Sequence, residues 1–479
     1  MEPDFERCYA AVESRDRRFD GWFVTAVTST GIYCRPNCPA GTPKRANVRF
    51  FRTAAAAQGA GFRACKRCRP DAAPGSPEWN VRADVAGRAM RLIADGVVDR
   101  EGVAGLARRL GYSERHLHRQ LLAELGAGPQ AIARAQRAQT ARTLVESSDL
   151  AFSDVAFAAG FSSIRQFNDT IRKVFAATPS ELRRKARPAD APVMGLTLRL
   201  PYRQPFDDGV LAFVAGRCVP GVEELDGDTY RRSLTLPFGP GVAELTVRAD
   251  HVACTLRLDD VRDLAAAVQR CRSLLDLDAD PRAISEHLGR DRALRRVVRT
   301  APGRRLPGTT DPFELAVRAV LGQQVSVTGA RTLAGRLVAA RGKPLTAPVG
   351  GVTHLFPSPD ALADADLSEV GMPEARRRAL RSLAAAVADG RLVLDAGVAR
   401  DETVAALQAL PGIGPWTASY VAMRALGDPD VFLEGDLGVR KAAAALGLPQ
   451  TPRALAEHAR RWGPWRSYAV LHLWATLNG

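Results

Sequence analysis

The sequence predicts a multidomain, mainly α protein, and three observations predict it. At 479 residues the chain is too long for one core. Helical periodicity fills residues 80–187 and returns from about 262 onward. Strand-like alternation is confined to the stretch between, as in Leu196, Leu198 and Leu200. Near the N-terminus Cys34, Cys38, Cys65 and Cys68 form two close pairs, the mark of a small α/β domain organised by something other than a large apolar core. The expected domains are 1–75 (small α/β), 80–187 (helical), 193–305 (mixed α/β) and 306–479 (all-α). Linkers are expected at Pro70 to Pro77 and at Arg187 to Pro192, where Pro and small residues concentrate.

Composition bounds the function. Hydrophobic residues at 46% and charged residues at 25% describe an ordinary soluble globular protein. No apolar run reaches the roughly 18 residues of a membrane span, and Met1-Glu-Pro-Asp-Phe-Glu-Arg lacks the regions of a signal peptide, so a cytoplasmic protein is expected. The net charge of +15 suits a polyanionic partner, although a solvated basic surface reads the same way. Cys254 and Cys271 lie in apolar-periodic stretches and read as core.

In the first domain, Cys34-x3-Cys38 is followed after 26 residues by Cys65-x2-Cys68. Two close thiolate pairs can close one tetrahedral zinc site, and a purely structural zinc is the common reading of such a set. The flanking residues add more: Phe23-Val-Thr-Ala-Val-Thr-Ser-Thr-Gly-Ile-Tyr-Cys34, Asn47-Val-Arg-Phe-Phe, and Ala60-Gly-Phe-Arg-Ala-Cys65-Lys-Arg-Cys68. Residues 1–72 thereby resemble the N-terminal domain of the Ada family of DNA-repair methyltransferases. The resemblance implies that Cys34 is both ligand and nucleophile, taking a methyl group irreversibly from a methylated DNA phosphate. It also implies contact of Arg45, Arg63, Lys66 and Arg67 with DNA. Four thiolates outweigh the charge of one Zn²⁺, so methylation of one should weaken repulsion from phosphate, an electrostatic switch. The Pro-Cys-His-Arg motif of a second Ada-type methyltransferase domain is absent.

The second domain contains a repeat. At an offset of 50, Ser113, Leu117, Leu121, Leu125 and Pro129 correspond to Ser163, Phe167, Ile171, Phe175 and Pro179. Each copy has a Gly-aromatic-Ser turn, Gly111-Tyr112-Ser113 and Gly160-Phe161-Ser162, in which Gly closes the turn and Ser caps the next helix. Two helix-turn-helix units joined by a long helix at about 130–147 resemble the AraC family of DNA-binding domains.

The last two domains carry Leu410-Pro-Gly-Ile-Gly-Pro-Trp416, a helix-hairpin-helix signature, with Asp436 20 residues further on. Gly412 and Gly414 permit a tight turn whose amides, together with Ile413 and Thr417, face a phosphate. Leu200-Pro-Tyr-Arg-Gln-Pro-Phe-Asp, Ala319-Val-Leu-Gly-Gln-Gln-Val-Ser-Val, Gly371-Met-Pro and Arg461-Trp-Gly-Pro-Trp-Arg-Ser-Tyr are further landmarks. Residues 193–479 therefore resemble the AlkA-type 3-methyladenine DNA glycosylases of the HhH-GPD superfamily, which implies a TBP-like α/β domain followed by an all-α one. Asp436 is then the catalytic carboxylate, stabilising an oxocarbenium-like sugar. Trp416, Tyr420 and Trp474 are expected to stack on the flipped base, although aromatics at such spacing are more often core. Strand-cutting relatives carry lysine where Trp416 stands, so hydrolysis alone is expected. Gln323 and Gln324 stand at the family's wedge position, where relatives use leucine.

The combined reading is a bifunctional alkylation-repair and response protein with one Zn²⁺. Its partners would be alkylated and promoter double-stranded DNA and RNA polymerase, with no membrane, and it would act as a monomer. The alternative is a transcription factor whose glycosylase-like half only binds DNA.

Overall fold

The computed structural model describes residues 4–70, 84–148, 150–185 and 195–477. Both expected linkers fall almost wholly outside these residues. The chain divides into two compact units: Met1–Pro201 with Pro237–Gly239 and Ala253–Gln269, and Tyr202–Leu236 with Pro240–Val252 and Arg270–Gly479. Among the described residues no helix is long and apolar enough to cross a membrane.

The first unit begins with helix Phe5–Glu13, capped by Asp4, and a four-stranded sheet in the order Val48–Phe51, Val24–Val27, Ile32–Cys34, Arg63–Ala64. The first three strands are antiparallel, whereas Ile32–Cys34 and Arg63–Ala64 run parallel with Tyr33 opposite Ala64. That register brings Cys34 and Cys65 to the same end of neighbouring strands. Ala55 and Ala56 join the buried cluster of the following helices, which includes Leu92, Leu106, Leu117 and Leu121. In the first helix-turn-helix copy Ser113 caps Glu114–Leu125 as expected. In the second the turn is one residue longer, and the cap of Ile164–Phe175 is Ser163 rather than Ser162. Each cap accepts from the amide three residues on, while Ser162 donates to Gln166 Oε1. Gly111 and Gly160 both adopt positive φ (78° and 80°) to close the turns. Helix Pro129–Ser147 joins the copies, with proline in its first turn.

In the second unit, strands Glu223–Asp226, Thr229–Thr235 and Pro240–Val247 form an antiparallel meander. The alternating stretch is interrupted by helix Gly209–Ala215, too short to show a period in sequence. The region expected to be all-α holds a hairpin, Pro344–Val349 with Val352–His354, turned at Gly350-Gly351. Its Gly351 amide donates to Glu224 Oε2 (2.8 Å) and its Thr353 amide to the Gly221 carbonyl (2.8 Å), so tertiary pairing stabilises strands in a helical setting. The remaining helices pack into two apolar cores, one around Val317, Leu337, Leu383 and Val421, the other around Met423, Val439, Trp462 and Leu473.

Candidate functional site

The cysteine cluster is assembled by strand pairing and two short turns. The Cys65 amide donates to the Tyr33 carbonyl (3.0 Å), which sets Cys65 beside Cys34 across the strands. Bonds from the Cys38 amide to the Arg35 carbonyl (3.1 Å) and from the Arg69 amide to the Cys65 carbonyl (3.1 Å) close the two turns. All four sulfurs lie within 4.8 Å of one another, with Cys65 and Cys68 buried and Cys34 and Cys38 half-exposed. A hydrogen bond to Cys68, then burial, pushes the Cys34 thiol up, while the same contact pulls Cys68 down to about 6. Thiols crowded closely enough to share protons are a donor set that a dication would complete, and four sulfurs in this geometry suit tetrahedral zinc. Cys34, Cys38, Cys65 and Cys68 therefore form a zinc site.

The basic residues around this cluster differ in their surroundings. Arg45 bonds to Glu6 and lies over the rings of Tyr9 (4.7 Å) and Phe5 (5.5 Å). Lys66 donates to the Ala176 carbonyl at the end of helix Ile164–Phe175 (2.9 Å), and Arg69 pairs with Glu146 of the long helix (2.5 Å). Arg67 is exposed and Arg63 half-buried.

In the second unit, helices Pro312–Leu321, Pro415–Arg424, Leu437–Ala445 and Arg466–Ala475 converge on a cavity of about 780 Å³ lined by Asp436, Trp416, Tyr420 and Trp474 among others. Asp436 is the N-cap of Leu437–Ala445, its Oδ1 accepting from the Val439 amide (2.8 Å). Oδ1 also accepts from Trp474 Nε1 (2.9 Å) and Oδ2 from Trp416 Nε1 (3.0 Å). The cap and the site are thus one residue, and both carboxylate oxygens are held by donors that carry no charge. A Cβ at Gly438 would sit 3.1 Å from Asp436 Oδ1 and 3.2 Å from the Trp474 ring, so the missing side chain leaves room for this contact. Trp416 stacks on Tyr420 with centroids 5.2 Å apart and planes 10° apart, and Tyr420 meets Trp474 at 6.5 Å.

The hairpin before Trp416 is a true tight turn. Gly412 has φ 78°, and a Cβ there would lie 2.8 Å from that of Ala379. Ile413 and Thr417 are buried, which leaves the main chain of the hairpin, with Gly412 and Gly414 exposed, as its outward surface. Gln323 was expected at the substrate. Its amide instead donates inward to the Gly412 carbonyl (2.9 Å) and Thr417 Oγ1 (3.0 Å), and its own carbonyl is held by Arg376 (2.6 Å). Gln324 is exposed at φ 56°, beside Gly322 and Val325 of the cavity wall. Sequence reasoning missed Phe213 and Arg217, which line the same cavity from helix Gly209–Ala215 and the turn after it.

Comparison with known proteins matches the same regions. Family models described as the metal binding domain of Ada, a helix-turn-helix domain and the AlkA N-terminal domain match residues 7–71, 106–185 and 197–311. A probable bifunctional transcriptional activator/DNA repair enzyme AlkA of Mycobacterium tuberculosis is 59% identical over 100% of this chain and 97% of its own. DNA-3-methyladenine glycosylase 2 of Escherichia coli is 37% identical over 58% of this chain and 96% of its own. Among solved structures, a 3-methyladenine DNA-glycosylase from Archaeoglobus fulgidus shares the fold (TM-score 0.51, 23% identity, 58% of this chain and 97% of that one).

Proposed function

Because the chain belongs to the family of bifunctional transcriptional activator/DNA repair enzymes of the AlkA type, we propose that it excises alkylated bases such as 3-methyladenine from double-stranded DNA and takes up methyl groups from DNA methylphosphotriesters. The observation that carries the excision is a carboxylate with both oxygens fixed by indole N–H groups in the wall of an aromatic cavity. In this reading the flipped base enters between the aromatic rings while Asp436 faces the sugar. As the glycosidic bond breaks, its electrons leave with the base and Asp436 stabilises the cationic sugar until water adds. A cationic leaving base needs no general acid. With an indole at residue 416 and no amine, the sugar cannot be trapped as an imine, and the strand stays intact.

At the other site the Cys34 thiolate would attack the methyl carbon, forming S–CH3 while the C–O bond breaks and the phosphate leaves as a diester anion. Zinc supplies the positive charge that keeps the sulfur deprotonated at neutral pH. The product cluster is less negative, so methylated protein should hold its operator more tightly and recruit RNA polymerase there. We place the protein in the cytoplasm, acting as a monomer.

Incubation with methylated duplex DNA, followed by mass measurement of released base and of Cys34, tests both halves. Free 3-methyladenine, an unbroken abasic strand and one added methyl on Cys34 are expected. Borohydride trapping of the protein on DNA would contradict the hydrolytic mechanism, and methyl uptake by C34S would contradict the nucleophile.

A further inference from the structure

Three pieces of the second unit that lie far apart in the chain meet at one side chain, Gln323. Its amide donates to the Gly412 carbonyl (2.9 Å) in the hairpin and to Thr417 Oγ1 (3.0 Å) in the first turn of helix Pro415–Arg424. Trp416, beside Thr417 in that turn, holds Asp436 Oδ2. Gln323 itself belongs to the loop 322–326 between helices Pro312–Leu321 and Val327–Arg341, where Gly322, Val325 and Ser326 line the cavity.

The edges of this loop are pinned by helix ends. The Gly322 amide donates to the Arg318 carbonyl (2.9 Å), and Ser326 Oγ caps the next helix by accepting from the Gly329 amide (3.1 Å). Between them Gln324 stands exposed at φ 56°, a left-handed conformation that a residue with a side chain keeps only where its neighbours dictate it. The Gln323 side chain holds the loop to the hairpin. Arg376 holds it from helix Glu374–Ala388 by donating to the Gln323 carbonyl (2.6 Å). That helix also meets the hairpin, since a Cβ on Gly412 would lie 2.8 Å from that of Ala379. Val325 and Val327 are exposed beside Gln324, so the loop turns an amide and two apolar side chains outward.

A base taken out of its stack leaves a gap, and an unfilled gap draws the base back. The group that fills it must arrive in register with the backbone held by the hairpin and with the rings that receive the base. Resting on the reading of this cavity as the excision site, we infer that Gln323 is a positioning residue that sets this register. It makes the tip, Gln324 and Val325, a rigid extension of the hairpin and of the turn that carries Trp416. The carboxamide suits the task, because one Nε2 carries two N–H donors and both are used. Its effect falls on the flipping equilibrium and leaves the chemical step and general duplex affinity alone.

The test is single-turnover excision by the full-length protein from a duplex carrying 7-methylguanine, a cationic base, with 2-aminopurine as its 5′ neighbour. The 2-aminopurine brightens when its neighbour leaves the stack, so flipping is read apart from cleavage. Q323A should lower the flipped fraction and the excision rate together, roughly tenfold, the weight of one or two uncharged hydrogen bonds. Its affinity for undamaged duplex should not change. R376M keeps the Gln323 side chain but frees its carbonyl, and it should shift flipping in the same direction. Arg376 is half-buried, so R376M carries the test if Q323A fails to fold. A 7-methylguanine in a single-nucleotide bulge leaves no gap to fill, and Q323A should excise it at the unmutated rate. Normal flipping by folded Q323A, or equal slowing on duplex and bulge, would overturn the proposal. So would normal flipping by R376M, because the loop would then need no bracing. Release of 7-methylguanine from neither substrate by the unmutated protein would overturn the reading of the cavity itself.

Discussion

Cys34 and Asp436 are held by opposite means. Cys34 sits at a strand end in a region whose own apolar cluster is Cys8, Ala11, Val12 and Phe23, too small to fix a side chain by packing. Asp436 sits on a helix of a large apolar core, its oxygens bonded to indoles of two other helices. In the first case, on the proposed reading, the metal supplies order and chemistry together. In the second, packing supplies the order and, on the same reading, the carboxylate only the charge. Sites built these two ways should fail differently.

The largest expected difference comes from removing zinc. Structural zinc sites contribute on the order of 10 kcal/mol, more than a region of this size holds otherwise. A strong chelator, or Cys38→Ser, should abolish methyl uptake and expose residues 4–70 to protease while base excision in the same sample persists. A parallel fall of both activities would break the comparison.

Asp436→Asn comes next. It keeps the N-cap and the shape but removes the charge, so excision should fall roughly 10²–10³-fold with duplex affinity and methyl uptake unchanged. Full excision by this variant would remove the mechanism. A smaller effect is expected from Trp474→Phe, which deletes one donor to Asp436 Oδ1. Excision should drop roughly tenfold, the usual weight of a hydrogen bond to a charged group, and the melting temperature should move little.

The smallest effect is in pH dependence. Burial, and then Arg304, lowers the pKa of His472 from 6.5 to about 3. The folded protein resists a proton that the unfolded chain accepts, so this stability is complete above pH 6.5 and is lost as pH falls toward 3. Denaturant midpoints of the second unit should decline over that window, and His472→Gln should flatten the slope. An identical slope in the variant would assign the acid sensitivity elsewhere.

What was legible in the sequence was local. The cysteine spacing, the two Ser caps with their glycine turns, and the interval from hairpin to Asp436 each depend on residues close in the chain. Asp436 also shows that the bland and the functional readings of a residue need not exclude each other, since it caps a helix and faces the cavity. Phe213 and Arg217 were not legible, because a seven-residue helix amid alternating strands has no period to detect. Arg424 reads in sequence as an ordinary basic residue at a helix end, where Arg favours the dipole. Only the fold reveals that it is buried without a carboxylate partner among the described residues. Gln323 carried a substrate role by analogy, and its inward hydrogen bonds depend on a hairpin far along the chain.

The contacts of Lys66 with the Ala176 carbonyl and of Arg69 with Glu146 tie the turn bearing Cys65 and Cys68 to the end of the second helix-turn-helix copy and to the long helix that joins the copies. Arg69 is 43% exposed, and a pair so open to water contributes at most about 1 kcal/mol. A DNA phosphate offers either side chain a comparable attraction together with counterion release. If this turn meets DNA, as proposed, a phosphate would compete directly with the protein's own acceptors, and engagement would exchange partners for these two side chains. Of the two internal contacts only Arg69–Glu146 is ionic, so raised salt should weaken the phosphate contacts more than the latch and shift the exchange toward the protein's own acceptors.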